Sequence, residues 1–342
     1  MKINRRSALR LGTVAASAAV LGAGTAALAQ ESPAGSSSGA AEQSRRKIAQ
    51  SYGRQVKQAR GTWSSLITVA EPTGLPMAAV EDNADRVVEA YSVNKIAVAI
   101  AVLDKVDRGL IRLDQRVDVV ESIVAKDTDG VFGLDGAYPS QVTIGHVLST
   151  MLTVSDNTSV RLCGLVCPAQ ELNEILRAKG FPMTQVVPLA DKPNRFFLGT
   201  TTPRETHALL RQLVDGTLLS ANSTRYLLNI LRSLSAFTDG VRLNLSSTER
   251  LRVATKAGWF ADGRNEAGII FCSADRPVLI YSMFASGTFA GDKAANDENF
   301  GFTHPAVGAR AALGRTMYDA AVNISTTQQQ YPPLAYRMAN GG

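Results

Sequence analysis

The chain has 342 residues, 45% hydrophobic and 19% charged, with 36 Lys and Arg against 30 Asp and Glu for a formal charge of +6. Residues 1–29 hold Lys2, Arg5, Arg6 and Arg10 and no acid, so the rest carries only +2, and the basic balance gives no support to a nucleic-acid partner. Three cysteines permit at most one internal disulfide and exclude a cysteine-stapled scaffold; without a P-loop, a dinucleotide-binding glycine pattern or a G-x-S-x-G elbow, no cofactor is implied.

The chain opens with a twin arginine in Asn4-Arg5-Arg6-Ser7-Ala8-Leu9-Arg10. A weakly apolar run over 11–29 follows, interrupted by Gly22 and Gly24 and ending in the small residues Ala27-Leu28-Ala29. This pattern predicts a twin-arginine signal peptide over 1–29 and an exported protein, secreted or periplasmic, rather than a stable membrane anchor. Residues 30–43 are Ser/Gly/Ala-rich and are expected to be a disordered linker. One domain is expected over 44–326, with a C-terminal tail over 327–342; roughly 290 residues suffice for one large domain or two intimate lobes.

Residues 41–60 are polar and helix-compatible. Short strands are expected over 64–70, 77–81 and 86–89, joined by turns at Gly74 and Asp82-Asn83. A helix starts at Ser92 and ends near Gly109. After a loop-rich stretch, Thr143 caps an apolar helix reaching 152, and Pro168 divides helices over 159–165 and 169–179. Residues 183–199 contain Pro188 and Pro193 and no clean period, which predicts a long surface loop. Thr202 and Pro203 open the next helix, and another covers 223–234. Residues 251–255, 266–273 and 278–285 are β-rich, and 305–322 closes as a helix.

This order predicts an α/β (α+β) fold. Both ends of the chain contribute to an antiparallel sheet of about five strands flanked by N- and C-terminal helices, and an all-helical lobe over about 92–250 is inserted between them. Cys163, Cys167 and Cys272 read as buried small apolar residues, with a Cys163–Cys167 bridge as the alternative in an oxidising compartment. His146, His207 and His304 lack metal-ligand spacing, so no metal is implied.

Three short motifs carry the chemistry. Ser92-Val93-Asn94-Lys95 places a hydroxyl and an amine three residues apart, on one face of a helical turn. Alone, the pair is most often a serine cap and a solvated lysine; with burial or a neighbouring cation, the lysine becomes a base for the serine. Ser155-Asp156-Asn157 follows 63 residues later in a loop after an apolar helix, and Lys256-Ala257-Gly258 follows 101 residues after that on a β-rich stretch. Each is weak alone; the order S-x-x-K, S-D-N, K-x-G, each in its expected setting, is specific.

On these motifs the chain resembles the class A β-lactamase and penicillin-binding-protein superfamily of active-site serine enzymes, over about residues 45–325. The resemblance implies that Ser92 attacks the carbonyl of a β-lactam or D-Ala-type amide or ester and that Lys95 accepts its proton. Ser155 would relay a proton to the leaving nitrogen, Asn157 grip the acylamide side chain, and Lys256 supply positive potential for the substrate carboxylate. Ala257, Gly258 and Trp259 would line the substrate, the backbone N–H groups of Ser92 and Trp259 forming an oxyanion hole. Phe132 either flanks the cleft or packs in the core. The partner implied is a small molecule, and a monomer is expected.

Two departures stand out. The family's Ω-loop glutamate, which activates the deacylating water, has no counterpart between Glu174 and Glu205, with Val187 in its apparent place and Asp191 the only acid in the loop. Gly199 occupies the acidic end of the loop's usual clamp. Ala257 replaces a hydroxyl residue, which removes a hydrogen bond to the substrate carboxylate worth about 1.5–3 kcal/mol. Acylation is therefore expected to be complete in its parts and deacylation slow. A D,D-peptidase or esterase, or a β-lactam-binding sensor or sequestering protein, is the alternative.

Overall fold

The computed structural model describes residues 35–71, 76–126 and 130–333. The twin arginine, the apolar run, the cleavage site and the Gly74 turn lie outside the described residues. No described helix is long and apolar enough to cross a membrane.

The chain begins with helix α1 (Gly35–Ala59), then strands β1 (Arg60–Val69), β2 (Met77–Asp82) and the two-residue β3 (Val88–Glu89). A 3₁₀ turn (Tyr91–Asn94) runs into α2 (Lys95–Asp107). Every α2 residue from Lys95 to Leu103 is buried. A helix apolar on all sides belongs inside a core, and here it is the axis around which the inserted lobe packs.

That lobe holds β4 (Arg116–Val119), α3 (Val131–Asp135), β5 (Ser140–Thr143), α4 (Ile144–Thr153), α5 (Asn157–Val166) and α6 (Ala169–Ala178). It continues through the hairpin β6 (Gln185–Leu189) and β7 (Lys192–Thr201), then α7 (Pro203–Val214), α8 (Ala221–Arg232) and the short α9 (Ser247–Arg250). Strands β8 (Val253–Phe260), β9 (Gly263–Phe271) and β10 (Pro277–Phe289) return to the sheet before α10 (Lys293–Glu298) and α11 (Pro305–Ala321).

The antiparallel sheet runs β2-β1-β10-β9-β8, with Ile67 opposite Tyr281 and Lys256 opposite Ala267. Both faces are covered, so β9 is buried at every position and shows no polar alternation. On one face α1 and α11 pack on Ile67, Val69 and Met283, joined by Ser44 Oγ donating to the Ala320 carbonyl at 2.6 Å. On the other, Ile269, Phe271 and Phe284 meet the lobe around α2. The α+β architecture with a five-stranded antiparallel sheet and flanking terminal helices is as expected.

Four expectations change. The linker over 30–43 gives way to α1 from Gly35, and Ala41 is 1% exposed; the Ser/Gly-rich composition is offset by docking onto α11. The inserted lobe is not all-helical, since β4 pairs with β5 and β3-β7-β6 form a second small sheet. The long loop over 183–199 is the β6–β7 hairpin, with a bulge where Gly199 adopts φ +62° and a Cβ would strike the Gln185 carbonyl at 2.2 Å. The tail is docked as far as Tyr331, which is buried and whose hydroxyl donates to the Val214 carbonyl at 2.7 Å. The cysteines are all free and buried, so Cys163 and Cys167 are not bridged.

Candidate active site

Ser92 sits in the 3₁₀ turn just before α2, and the residue ahead of it, Tyr91, is held at φ +49°. Positive φ in an aromatic residue is costly and persists only where the surroundings fix it. They do so through three sets of hydrogen bonds, to β7 and β9. The Ala90 N–H donates to the Gly199 carbonyl at 2.9 Å, Asn265 Nδ2 donates to the Glu89 carbonyl at 2.9 Å, and Asn94 Nδ2 donates to the carbonyls of Leu198 (2.7 Å) and Thr200 (2.9 Å). The fourth constraint is β8: a Cβ at Gly258 would lie 2.7 Å from the backbone nitrogens of both Ser92 and Val93, so only glycine lets the strand approach this closely.

Lys95, one turn into the buried helix, donates from Nζ to the Ser155 carbonyl, to Ser155 Oγ at 3.1 Å and to Asn157 Oδ1 at 2.7 Å. Those three bonds use all the donors of an ammonium. Lys256 reaches the same hydroxyl from the other side, 3.0 Å from Ser155 Oγ, and also donates to the Ala257 carbonyl at 2.7 Å. Burial, and then the Lys256 ammonium, holds Lys95 well below the usual lysine range. Burial likewise brings Lys256 down to about 7, opposed by the Glu266 carboxylate behind the strand. No hydrogen bond joins Ser92 Oγ to either lysine or to Ser155 among the described residues; such contacts commonly tighten only when substrate is bound.

Ser155 is at φ +59°, a second residue in the left-handed region at the centre of the site. Its conformation is fixed by Asp156, which caps α5 through Oδ1 (Ser159 N–H, 3.0 Å) and accepts the Phe132 N–H at Oδ2 (3.0 Å). Gly130 packs on that carboxylate, where a Cβ would meet Oδ2 at 2.5 Å. Phe132 itself is buried in the core against the His146 ring, 5.7 Å away, and does not flank the cleft.

Ser92, Asn157 and Trp259 line one cleft of about 620 Å³ together with Tyr91, Val160, Leu189, Phe196 and Phe260. The Trp259 ring is wedged between Phe237 (5.2 Å) and Phe300 (6.2 Å). Ala257 is fully buried opposite Glu266 and offers only a methyl group. Val187 is 49% exposed on β6 and does not line the cleft, so it is not where a hydrolytic base would stand. Asp191 is exposed in the hairpin turn and also lies off the cleft wall. Among the described residues, Glu89 is the only carboxylate lining it.

A protein-family model described as the beta-lactamase enzyme family matches residues 50–321. The chain belongs to the beta-lactamase enzyme family. Among solved structures, a β-lactamase from Chitinophaga pinensis is 22% identical with a TM-score of 0.65, covering 80% of this chain and 98% of its own. A class A β-lactamase representative from Bacteroides cellulosilyticus is 20% identical at a TM-score of 0.65, covering 81% and 98%. PBP-A is 20% identical at 0.63, covering 80% and 95%. At these identities the likeness carries the fold.

Several residues that shape the site have no motif to announce them. Among the described residues the hairpin is held not by an ion pair but by two amides: the buried Asn94, and the half-buried Asn173, which exchanges two 2.8 Å bonds with the backbone of Val186. Glu266 is fully buried beneath β8, accepting Thr255 Oγ1 at 2.7 Å and lying 3.2 Å from Arg310 Nε. The only available signal is the Arg264-Asn265-Glu266 run inside an otherwise apolar strand: polar groups there must find buried partners.

Proposed function

We propose that this family member opens a β-lactam or a related D-Ala-type amide through an acyl-enzyme at Ser92, and that its second step is slow. The observation that carries the proposal is Ser155 Oγ lying 3.1 Å and 3.0 Å from two buried lysine nitrogens, one of which also bonds Asn157, a residue lining the same cleft as Ser92. The proton order follows from the charges. Lys95, its pKa depressed, gives up a proton, and its freed lone pair accepts the Ser92 proton. Ser92 Oγ then adds to the carbonyl carbon, and the backbone N–H groups of Ser92 and Trp259 receive the developing oxyanion. Ser155 hands its proton to the departing nitrogen and is reprotonated through Lys95, while Lys256 attracts the substrate's negative charge. The C–N bond breaks and the ester on Ser92 remains.

Deacylation needs a water and a base. The hairpin wall, where this family keeps its glutamate, presents Leu189, Phe196 and Phe197 instead. This favours an acyl-enzyme that accumulates, and with it the reading of a sensor or sequestering protein. PBP-A shares the fold, and a leucine-to-glutamate variant of it has been solved as an acyl-enzyme with penicillin G.

Intact-mass measurements over time with penicillins and acyl-D-Ala peptides test the proposal. One adduct per chain, formed in a burst and lost slowly, is expected with a penicillin, and none with Ser92→Ala. An adduct that survives Ser92→Ala assigns the nucleophile elsewhere. Rapid turnover of a penicillin without a burst overturns the slow second step.

A further inference from the structure

We infer that Arg195 forms a subsite for an anionic group on the acyl side of the substrate, so that the compounds preferred are amides or esters whose acyl part joins an apolar body to a carboxylate or similar anion. The inference rests on the acyl-enzyme reading above for which side of the cleft is the acyl side: the side of Asn157 and the hairpin.

The charge of the cleft is unevenly placed. Lys95 and Lys256 are hydrogen-bonded to Ser155, Asn157 and the Ala257 carbonyl and do not line the cleft. Position 257 is alanine, so the lysine side also lacks the hydroxyl that would help hold a carboxylate. Two guanidinium groups do line the cleft, Arg161 from α5 and Arg195 from β7. Both lean on one short segment of backbone. Arg161 Nη1 donates to the carbonyls of Ile123 (3.1 Å) and Val124 (2.9 Å), and Arg195 Nη2 donates to the Ser122 carbonyl.

Arg195 has no carboxylate partner among the described residues, and that carbonyl takes one of its five N–H donors. A planar fork of donors with spare capacity, held on a strand rather than a loose loop, suits a carboxylate. Glu89, the one acid on the wall, lies on β3 and forms no ion pair among the described residues. Leu189, Phe196, Leu198 and Trp259 line the same cleft as Arg195 and Ser92 and offer apolar surface for the body of the acyl group.

Benzylpenicillin and carbenicillin differ by one carboxylate on the acyl side chain and so isolate this term. Stopped-flow acylation of the wild-type protein should be about ten- to hundredfold more efficient with carbenicillin, the range for a hydrogen bond to a charged group. Added salt should narrow the ratio. Arg195→Gln should bring the ratio close to one and Arg195→Lys should keep part of it; a ratio taken within one variant cancels any general damage to the wall. Calorimetric affinities of Ser92→Ala for the two compounds read the same preference without chemistry. If neither compound acylates the wild type but Ser92→Ala still prefers carbenicillin, the acyl-enzyme reading fails and the subsite stands. Equal rates with equal affinities, affinity for neither compound, or a preference that survives Arg195→Gln overturns it.

Discussion

The two walls of the cleft are built on different terms. On the side of the 3₁₀ turn, α5 and β8, nearly every polar atom is buried and partnered: two lysines share one serine, an aspartate caps a helix and pins a loop, and two residues are held at positive φ. On the hairpin side the surface is apolar and partly exposed, with Phe197 two-thirds open to solvent and one arginine lacking an acid partner among the described residues. The first wall is preorganised for a defined sequence of proton transfers; the second can vary in shape without disturbing them. In the proposed reaction, attack on a substrate depends on the first wall, and the choice and lifetime of the acyl group on the second.

The largest expected effect comes from the preorganised wall. Lys95→Arg should slow acyl-enzyme formation by about 100- to 10,000-fold, close to the loss in Lys95→Ala, because a guanidinium cannot serve as base. Near-normal labelling by Lys95→Arg would place the base elsewhere. The pH profile sharpens the point. Both lysine pKa values are depressed by burial, so the wild-type rate should climb as Lys95 loses its proton and fall above about pH 7 as Lys256 loses its own. Lys256→Arg keeps its charge, and its falling limb should move to higher pH. A wild-type rate that rises steadily to pH 10 would remove the Lys256 charge from the step.

A smaller effect is expected where the walls meet. Asn94→Ala strips two buried hydrogen bonds from the hairpin and should cost about 1–3 kcal/mol in urea unfolding. Its acylation rate should fall far less than that of Lys95→Arg. Unchanged stability would show that the turn and the hairpin are not tied through this amide.

The smallest effect belongs to the hairpin alone. Leu189→Glu puts a carboxylate on the cleft wall and should quicken loss of the acyl group a few-fold, whereas Val187→Glu points a carboxylate to solvent and should leave it unchanged. A faster release from Val187→Glu than from Leu189→Glu would mean that the hairpin register differs in the acyl-enzyme.

How much of this is legible in the sequence follows the same division. The S-x-x-K, S-D-N and K-x-G order is readable because the chemistry restricts residue type at each position, and α2 is readable because its apolar run is unbroken from Ile96 to Leu103. The five-stranded sheet follows from apolar runs at both ends of the chain. The hairpin is not readable: Pro188 and Pro193 argue against strands, and a two-strand ribbon bulged at Gly199 has no clean period. The start of α1 is hidden for a related reason, since Ser and Gly are poor helix formers and only docking on α11 makes the helix worthwhile. Asn94 shows the limit most plainly. A single asparagine inside S-x-x-K carries no mark of the two carbonyls, more than a hundred residues away, that it will join.

The seam at Gly258 has a wider consequence. There the sheet and the turn that carries Ser92 meet backbone to backbone, with no side chain between them. Their separation is thus set by covalent geometry and peptide contact, not by rotamers, and no repacking of neighbouring residues can tune it. Divergence can recut the outer rim of this cleft freely, but the gap beside Ser92 behaves as a fixed gauge, adjustable only by moving the two bodies as wholes.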